Sequence, residues 1–498
     1  MGRKLFCFFL LVGLGCGTTS PQSSDTSVSD VVAVDVSAEP DTMADVGAPD
    51  AVPDLSADQF PSQLGDAVVQ TPELPFPCVD DYAAIYAAQA AAGDPLGAVV
   101  ACQVDHEADA SQVAERLLAV EVEGVEVKAG YRAYRIAYRT NRDPQTPGTG
   151  TARLYVPDIP GPRPVVVVAH GSAGLADFCA PSTTTTPTDG SDVLALPWVA
   201  SGYVTVLPDY AGLGNPGTQG YGNRVDTTFS AIDAGRAAVT IPGTLPKLVF
   251  VGHSQGGGVA LAAQALTGGY GGPDLELAAA VSIGGNLEED RTLLAFRFPN
   301  LPVIVGGGGL TLVVVLLTLY ADWANIVDVA QGGAILHPDL RDHLVAAIQA
   351  ECIFGIVPIA NTSTGDYEVP NSVSGLVDPT LRAAIVACDL NDNCTDEAAA
   401  FVQRHRDNVS PPDPDGAPVL MLSGVADLQS PLERQACTRD FLQAAGVVPT
   451  TCAFEDENHF TIPQASIVHG LDWVKAILAG QPPPDCPDPY PYPECPPN

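Results

Sequence analysis

The run Lys247-Leu248-Val249-Phe250-Val251-Gly252-His253-Ser254-Gln255-Gly256-Gly257-Gly258 joins a short apolar stretch to Gly-x-Ser-x-Gly and then to small residues. This is the sequence form of a nucleophile elbow, in which a serine sits on a strained strand-to-helix turn with its hydroxyl exposed. Gly252 and Gly256 flank Ser254 because the turn is too tight for side chains there. A serine hydroxyl is a weak nucleophile. It needs a base to take its proton, a group to orient that base, and donors for the oxyanion. The chemistry implied is acyl transfer through a serine ester.

Behind such an elbow the acid and then the histidine follow in chain order, each after a strand. Asp427, in Ser423-Gly424-Val425-Ala426-Asp427, stands just beyond the apolar run Val419 to Ser423 and is the candidate acid. Asp440 falls on a predicted helix and is a poorer choice. His459, in Glu455-Asp456-Glu457-Asn458-His459-Phe460, is the candidate base. His469 lies inside a helical pattern, and His405 precedes Asp427 and breaks the order. His170-Gly171-Ser172-Ala173-Gly174 follows another apolar run. The N–H groups of Ser172 and Gln255 are the candidate oxyanion donors, and His170 itself reads as structural. This chemistry requires no cofactor and no metal, and no Cys or His cluster has the spacing of a metal site.

The elements that must position these residues follow from periodicity. Val165 to Ala169, Tyr203 to Leu207, Lys247 to Val251 and Ala279 to Ile283 are short apolar runs. Helical patterns lie between them at Asp226 to Thr240 and Gly257 to Leu266. Val419 to Ser423 and Cys452 to Glu455 add two strands, and Ile467 to Leu478 a final helix. Apolar strands alternating with helices predict an α/β fold whose mostly parallel sheet is covered by helices on both faces. Before them, 78–106 reads as helical. Ala119 to Val127, Tyr131 to Thr140 and Thr151 to Val156 read as a strand meander, with a turn around Asn141 to Gly150.

Between the fourth apolar strand and Val419 the alternation stops. The pattern predicts core over 78–286 and 418–480, and a mostly helical insertion, a cap, over 287–417. Leu301 to Leu319 is its most apolar stretch. Pro302 and Gly306 to Gly309 argue against a membrane span, leaving a strand at Val303 to Val305 before a buried helix, a plain cap helix, or a cap helix whose apolar face lines an acyl site or touches lipid. Residues 481–498 form a Pro-rich tail.

The N-terminus reads as an export signal. Arg3 and Lys4 precede the apolar Leu5 to Leu14, too short to span a bilayer. Cys16 follows Leu14-Gly15, which resembles a bacterial lipobox. A signal over 1–15 with Cys16 lipidated is the expectation, ordinary secretory cleavage the alternative. Residues 17–77 contain eleven Asp and Glu and no Lys or Arg, which predicts a disordered acidic tether. The expected location is outside the cytoplasm, lipid-anchored to a bacterial membrane, otherwise secreted.

The formal net charge of −37 argues against nucleic acid and against anionic membrane surfaces as partners. Of twelve cysteines, removing Cys7 and Cys16 leaves an even number, a disulfide set in an exported chain. Proximity suggests Cys78 with Cys102, Cys388 with Cys394, Cys437 with Cys452 and Cys486 with Cys495, leaving Cys179 and Cys352. Spacing alone does not prove this connectivity.

Ala169-His170-Gly171, Leu207-Pro208-Asp209-Tyr210-Ala211-Gly212-Leu213-Gly214 and Gly252-His253-Ser254-Gln255-Gly256-Gly257 together resemble the secretory lipase family, α/β-hydrolases of the fungal lipase A type and their bacterial relatives. The similarity runs from about Leu118 to Leu478, and the Asp-Tyr-x-Gly-x-Gly element is its more specific marker. The resemblance implies an α/β-hydrolase fold with a helical cap inserted after the sixth strand. It also implies activity on carboxylic esters, including lipids, with Ser254, Asp427 and His459 as the triad. Two other readings use the same residues: a peptidase or deacetylase, and a non-enzymatic surface protein.

Overall fold

The computed structural model describes residues 72–159, 161–184, 191–287, 292–298, 309–361, 370, 372–487 and 490–496. The signal, Cys16, nearly all of the tether and the expected strand at Val303 to Val305 lie outside these residues.

Nine strands form one sheet: β1 (Val99–Ala108), β2 (Tyr131–Asn141), β3 (Pro147–Pro157), β4 (Arg163–Ala169), β5 (Thr205–Pro208), β6 (Thr244–His253), β7 (Glu276–Ile283), β8 (Val419–Gly424) and β9 (Thr450–Phe454). Their order is β1-β2-β3-β5-β4-β6-β7-β8-β9. From β5 onward every pairing is parallel, with registers such as Val167↔Phe250, Val251↔Val281 and Leu422↔Cys452. β1, β2 and β3 join antiparallel at one end. The buried stretches of the parallel strands are mostly apolar because both their faces are covered. In β4, Val166 and Val168 enter one core cluster, while Val165 and Val167 enter another.

The helices are α1 (Tyr82–Ala87), α2 (Ala110–Ala119), α3 (Ser191–Ala200), α4 (Arg224–Val239), α5 (Gln255–Tyr270), α6 (Thr292–Arg297), α7 (Gly309–Ile326), α8 (Pro338–Ala350), α9 (Ile353–Asn361), α10 (Val373–Leu376), α11 (Pro379–Asn391), α12 (Asp396–Asp407), α13 (Leu432–Ala444) and α14 (Ile462–Leu478). α3 and α14 cover one face through Leu194, Trp198, Trp473 and Val474. α4 and α5 cover the other through Ile232, Ala234, Val259 and Ala263. The helices between β7 and β8 bury a core of their own, with Leu312, Leu316, Trp323, Ile356 and Phe401. This helical body lies between β7 and β8, where the sequence pattern places an insertion; in chain order it follows the seventh strand and not the sixth.

Three local expectations are corrected. Residues 78–106 hold only the single-turn α1; Val99 to Ala108 is β1, bonded to β2 in register Cys102↔Ile136. Gly97, at φ +78°, and Pro95 interrupt the Ala-rich run, and the β-branched Val99, Val100 and Val104 favour the sheet. Residues 119–127 are not a strand. Asp109 and Gln112 form a reciprocal capping box that starts α2, and the chain after it is irregular. The Val–Glu alternation there buries Val122 and packs Val125 and Val127 on the helix layer, without a strand partner. The turn near Asn141 is also shorter than expected, because β2 and β3 run to Asn141 and Pro147.

The disulfides are Cys78–Cys102, Cys179–Cys352, Cys388–Cys394, Cys437–Cys495 and Cys452–Cys486. The expected Cys437–Cys452 and Cys486–Cys495 pairs are exchanged. The tail folds back on the body, so that Cys486 meets β9 and Cys495 meets α13. Tyr492 of the tail bonds Ser423 at the end of β8.

Candidate active site

Ser254 lies between β6 and α5 at φ 56°, ψ −117°, a conformation that a non-glycine residue adopts at a cost. Its N–H bonds the Ile283 carbonyl at 2.9 Å. A Cβ at Gly252 would lie 2.0 Å from the Gly256 carbonyl oxygen, and one at Gly256 only 1.9 Å from that of Ala169. Neither position admits another residue without opening the turn.

The structure brings the three residues of the sequence order together. Ser254 Oγ is 2.9 Å from His459 Nε2. His459 Nδ1 is 2.7 Å from Asp427 Oδ2. Asp427 is buried, and its Oδ1 accepts the N–H groups of Gln429 at 2.9 Å and Ser430 at 2.7 Å. These bonds fix the carboxylate edge that faces the imidazole. Asp440 and His469 stay on α13 and α14, and His405 sits on α12 in the cap.

The loop after β4 approaches the elbow closely, since a Cβ on Gly171 would be 3.5 Å from Ser254 Cβ. Ser172 Oγ lies 2.5 Å from Tyr221 Oη. Gln255 opens α5, where backbone N–H groups have no helical partner and the helix dipole favours negative charge. Both candidate donors line the cavity in front of Ser254. His170 is buried, and its ring lies 4.5 Å from that of Tyr210. Tyr210, at φ 71°, donates its hydroxyl to the His170 carbonyl at 3.0 Å. Asp209 accepts from Thr151 Oγ1 at 2.7 Å, from the Ser182 N–H at 2.8 Å and from the Ser182 hydroxyl. Burial pushes its carboxyl above the usual range. The Asp-Tyr-x-Gly-x-Gly element therefore acts as a buried clamp on the loop that carries Ser172.

Two further residues of this arrangement carry no individual signal in the sequence. His253 bonds the main-chain carbonyl of His459 through Nε2 at 2.8 Å. A carbonyl only accepts, so Nε2 carries the proton. Burial, then the neighbouring His459, holds the His253 pKa down to about 3, so the ring is neutral at ordinary pH. The second is Gly284, at φ +57°, where a Cβ would sit 3.4 Å from Asp427 Oδ2 and 3.5 Å from His459 Nδ1. The end of β7 thus leaves room for Asp427 and His459.

The cavity has a volume of about 660 Å³. Leu310 and Val314 of α7 and Ile353 and Phe354 of α9 form an apolar wall, and Phe460 lies beside Phe354 with ring centroids 5.8 Å apart. α7 contains the described part of the apolar stretch. Among the described residues one group of cysteine and histidine atoms is close enough to hold an ion, at Cys452, His469 and Cys486. The two cysteines are bonded to each other, which leaves no thiolate for a metal.

A model of the secretory lipase family matches residues 178–292. The match contains Asp209 to Gly214 and Ser254, and ends before Asp427 and His459. A search of curated proteins finds no match. Among solved structures, the chain is similar to the rice cell wall degrading esterase LipA from Xanthomonas oryzae, with TM-score 0.55 and 18% identity over 78% of this chain and 97% of that one. It is also similar to Candida antarctica lipase A, with TM-score 0.55 and 19% identity over 79% and 84% of the two chains. At such identities the likeness speaks for the fold. The family match over the elbow and the fold of these neighbours bear out the resemblance to secretory lipases read from the motifs.

Proposed function

We propose that the protein is a serine carboxylic-ester hydrolase. His459 takes the proton of Ser254 as the serine oxygen attacks an ester carbonyl. Asp427 holds the imidazole in the tautomer whose Nε2 is free to accept, and stabilises the imidazolium that forms. The oxyanion is met by the N–H groups of Ser172 and Gln255 at the positive end of α5. Collapse expels the alcohol, which takes the proton from His459, and leaves an acyl-serine. Water, deprotonated by His459, then releases the acid.

The observation that carries this reading is the pair of contacts linking Ser254 to His459 at 2.9 Å and His459 to Asp427 at 2.7 Å, open to a cavity with an apolar wall. Five disulfides support the further proposal that the chain works outside the cytoplasm. The test is hydrolysis of chromogenic esters together with labelling by a fluorophosphonate. The parent should turn over and label, and Ser254→Ala should lose labelling and fall by at least about a thousandfold in kcat. Full activity in Ser254→Ala would sink the proposal.

A further inference from the structure

The Pro-rich tail lies beyond Leu478, where the family resemblance ends, yet it reaches the elements that carry the proposed acid and base. The loop after β8 holds Asp427 and the loop after β9 holds His459. These loops are bonded to each other. The Val425 N–H donates to the Phe454 carbonyl and the Ala426 N–H to the Glu457 carbonyl, each at 2.9 Å. A Cβ on Gly424 would stand only 2.3 Å from the Glu457 carbonyl oxygen. A shift at the end of β8 therefore reaches both loops.

The tail closes on that end from both faces of the sheet. Leu420 and Leu422 of β8 enter the core beneath α14, as does Cys452 of β9, with its partner Cys486 packed there. Val419 and Met421 point the other way, into a cluster with Leu442 of α13. Alternation sends the Ser423 side chain with them. On this second face the buried Ser423 hydroxyl meets Tyr492, and Cys495 is bonded to Cys437 of α13. Cys486 and Tyr492 thus stand on opposite faces, and β9 is the last strand of the sheet. The Arg439 guanidinium of α13 lies 5.7 Å from the centroid of the Tyr492 ring, a cation–π contact. Burial pushes the pKa of the Tyr492 hydroxyl up, so it keeps its proton into alkaline pH. Two disulfides and several prolines limit the freedom of the segment. The ring is held in place largely without its hydroxyl, which leaves the hydroxyl to fix Ser423.

We propose that Tyr492 is a positioning residue for Asp427 and His459. Through Ser423 it fixes the end of β8, and with it the alignment of acid, base and Ser254. This rests on the reading of Ser254 as the nucleophile.

The test is steady-state kinetics of the purified chain on a chromogenic butyrate ester, with proton NMR of the bond between His459 Nδ1–H and Asp427. Tyr492→Phe removes one hydroxyl and keeps the ring against Arg439. Its kcat should fall about five- to twentyfold, with KM unchanged within about twofold. The low-field resonance of the His459 proton should move upfield or broaden, which a merely stabilising tail would not cause. Ser423→Ala should lose as much, and the double variant no more than either, because a single bond is removed. Should one variant fail to fold, the other reads the same bond from its far side. An unchanged kcat, an unmoved resonance, or losses that multiply in the double variant overturns the positioning role and leaves the tail a staple. Failure of the parent to hydrolyse any ester or to label with a fluorophosphonate fells the hydrolase reading, and this role with it.

Discussion

His253 holds the backbone of the proposed base, and it does so as a neutral donor. Replacing it with Leu removes the bond to the His459 carbonyl and frees the loop after β9. We expect kcat to fall about ten- to a hundredfold with little change in KM, and His253→Gln, which keeps an N–H donor, to recover part of the loss. Equal kcat for the Leu variant and the parent would show that the bond positions nothing. The ring also carries a pH signature. Its folded pKa is about 3 against roughly 6.5 in an unfolded chain, so between these values the unfolded state binds a proton that the folded state refuses. The stability associated with His253 is complete above about pH 6.5 and is lost as pH falls, by up to ~1.4 kcal/mol per unit. The Tm advantage of the parent over His253→Gln should therefore shrink from pH 7 to pH 4, and a gap independent of pH would contradict this. Ser254, Asp427 and His459 were legible in the sequence because each follows an apolar strand in a fixed order. His253 was not, since its role depends on a carbonyl 206 residues further along.

At the scale of elements, the cap is stapled to the loop that carries Ser172. Cys179–Cys352 closes a separation of 173 residues, and the Ile353 N–H bonds the Ala173 carbonyl at 2.9 Å. Phe354, which lines the cavity, follows directly. By chain entropy alone a link across so long a loop is worth about 4–5 kcal/mol, and measured values are often lower. The double variant Cys179→Ser/Cys352→Ser should lose several degrees in Tm by calorimetry and raise KM, because the α9 wall of the cavity loses its tie. Unchanged Tm and KM would show that backbone and apolar contacts suffice. Spacing carries no signal for this staple, since Cys179 and Cys352 have no near neighbour in the sequence and meet only through the fold. The strands that carry the site were legible because both their faces are buried, which makes them continuous apolar runs. β1 was missed because it is an edge strand beside an Ala-rich turn, where composition favours helix and only pairing with β2 decides.

For the whole molecule, charge and attachment have to be reconciled. Eleven of the 59 acidic residues lie in 17–77, so most of the negative charge belongs to the rest of the chain. A protein of this net charge is repelled by anionic bilayers. No helix among the described residues is long and apolar enough to cross a membrane. α7, with 18 residues, is instead consumed by the cap core. The attachment proposed from the residues around Cys16 is by covalent lipid, and a single chain would be marginal against this charge. The full chain expressed in a bacterium that lipidates exported proteins should partition into the detergent phase of a Triton X-114 extraction. Cys16→Ala should move it to the aqueous phase with its specific activity on a soluble butyrate ester unchanged, because Cys16 belongs to no part of the proposed site. Detergent partitioning that survives Cys16→Ala would overturn the anchor and point to an apolar surface of the body, with Phe178, Phe354 and Phe460 the exposed candidates at the cavity mouth.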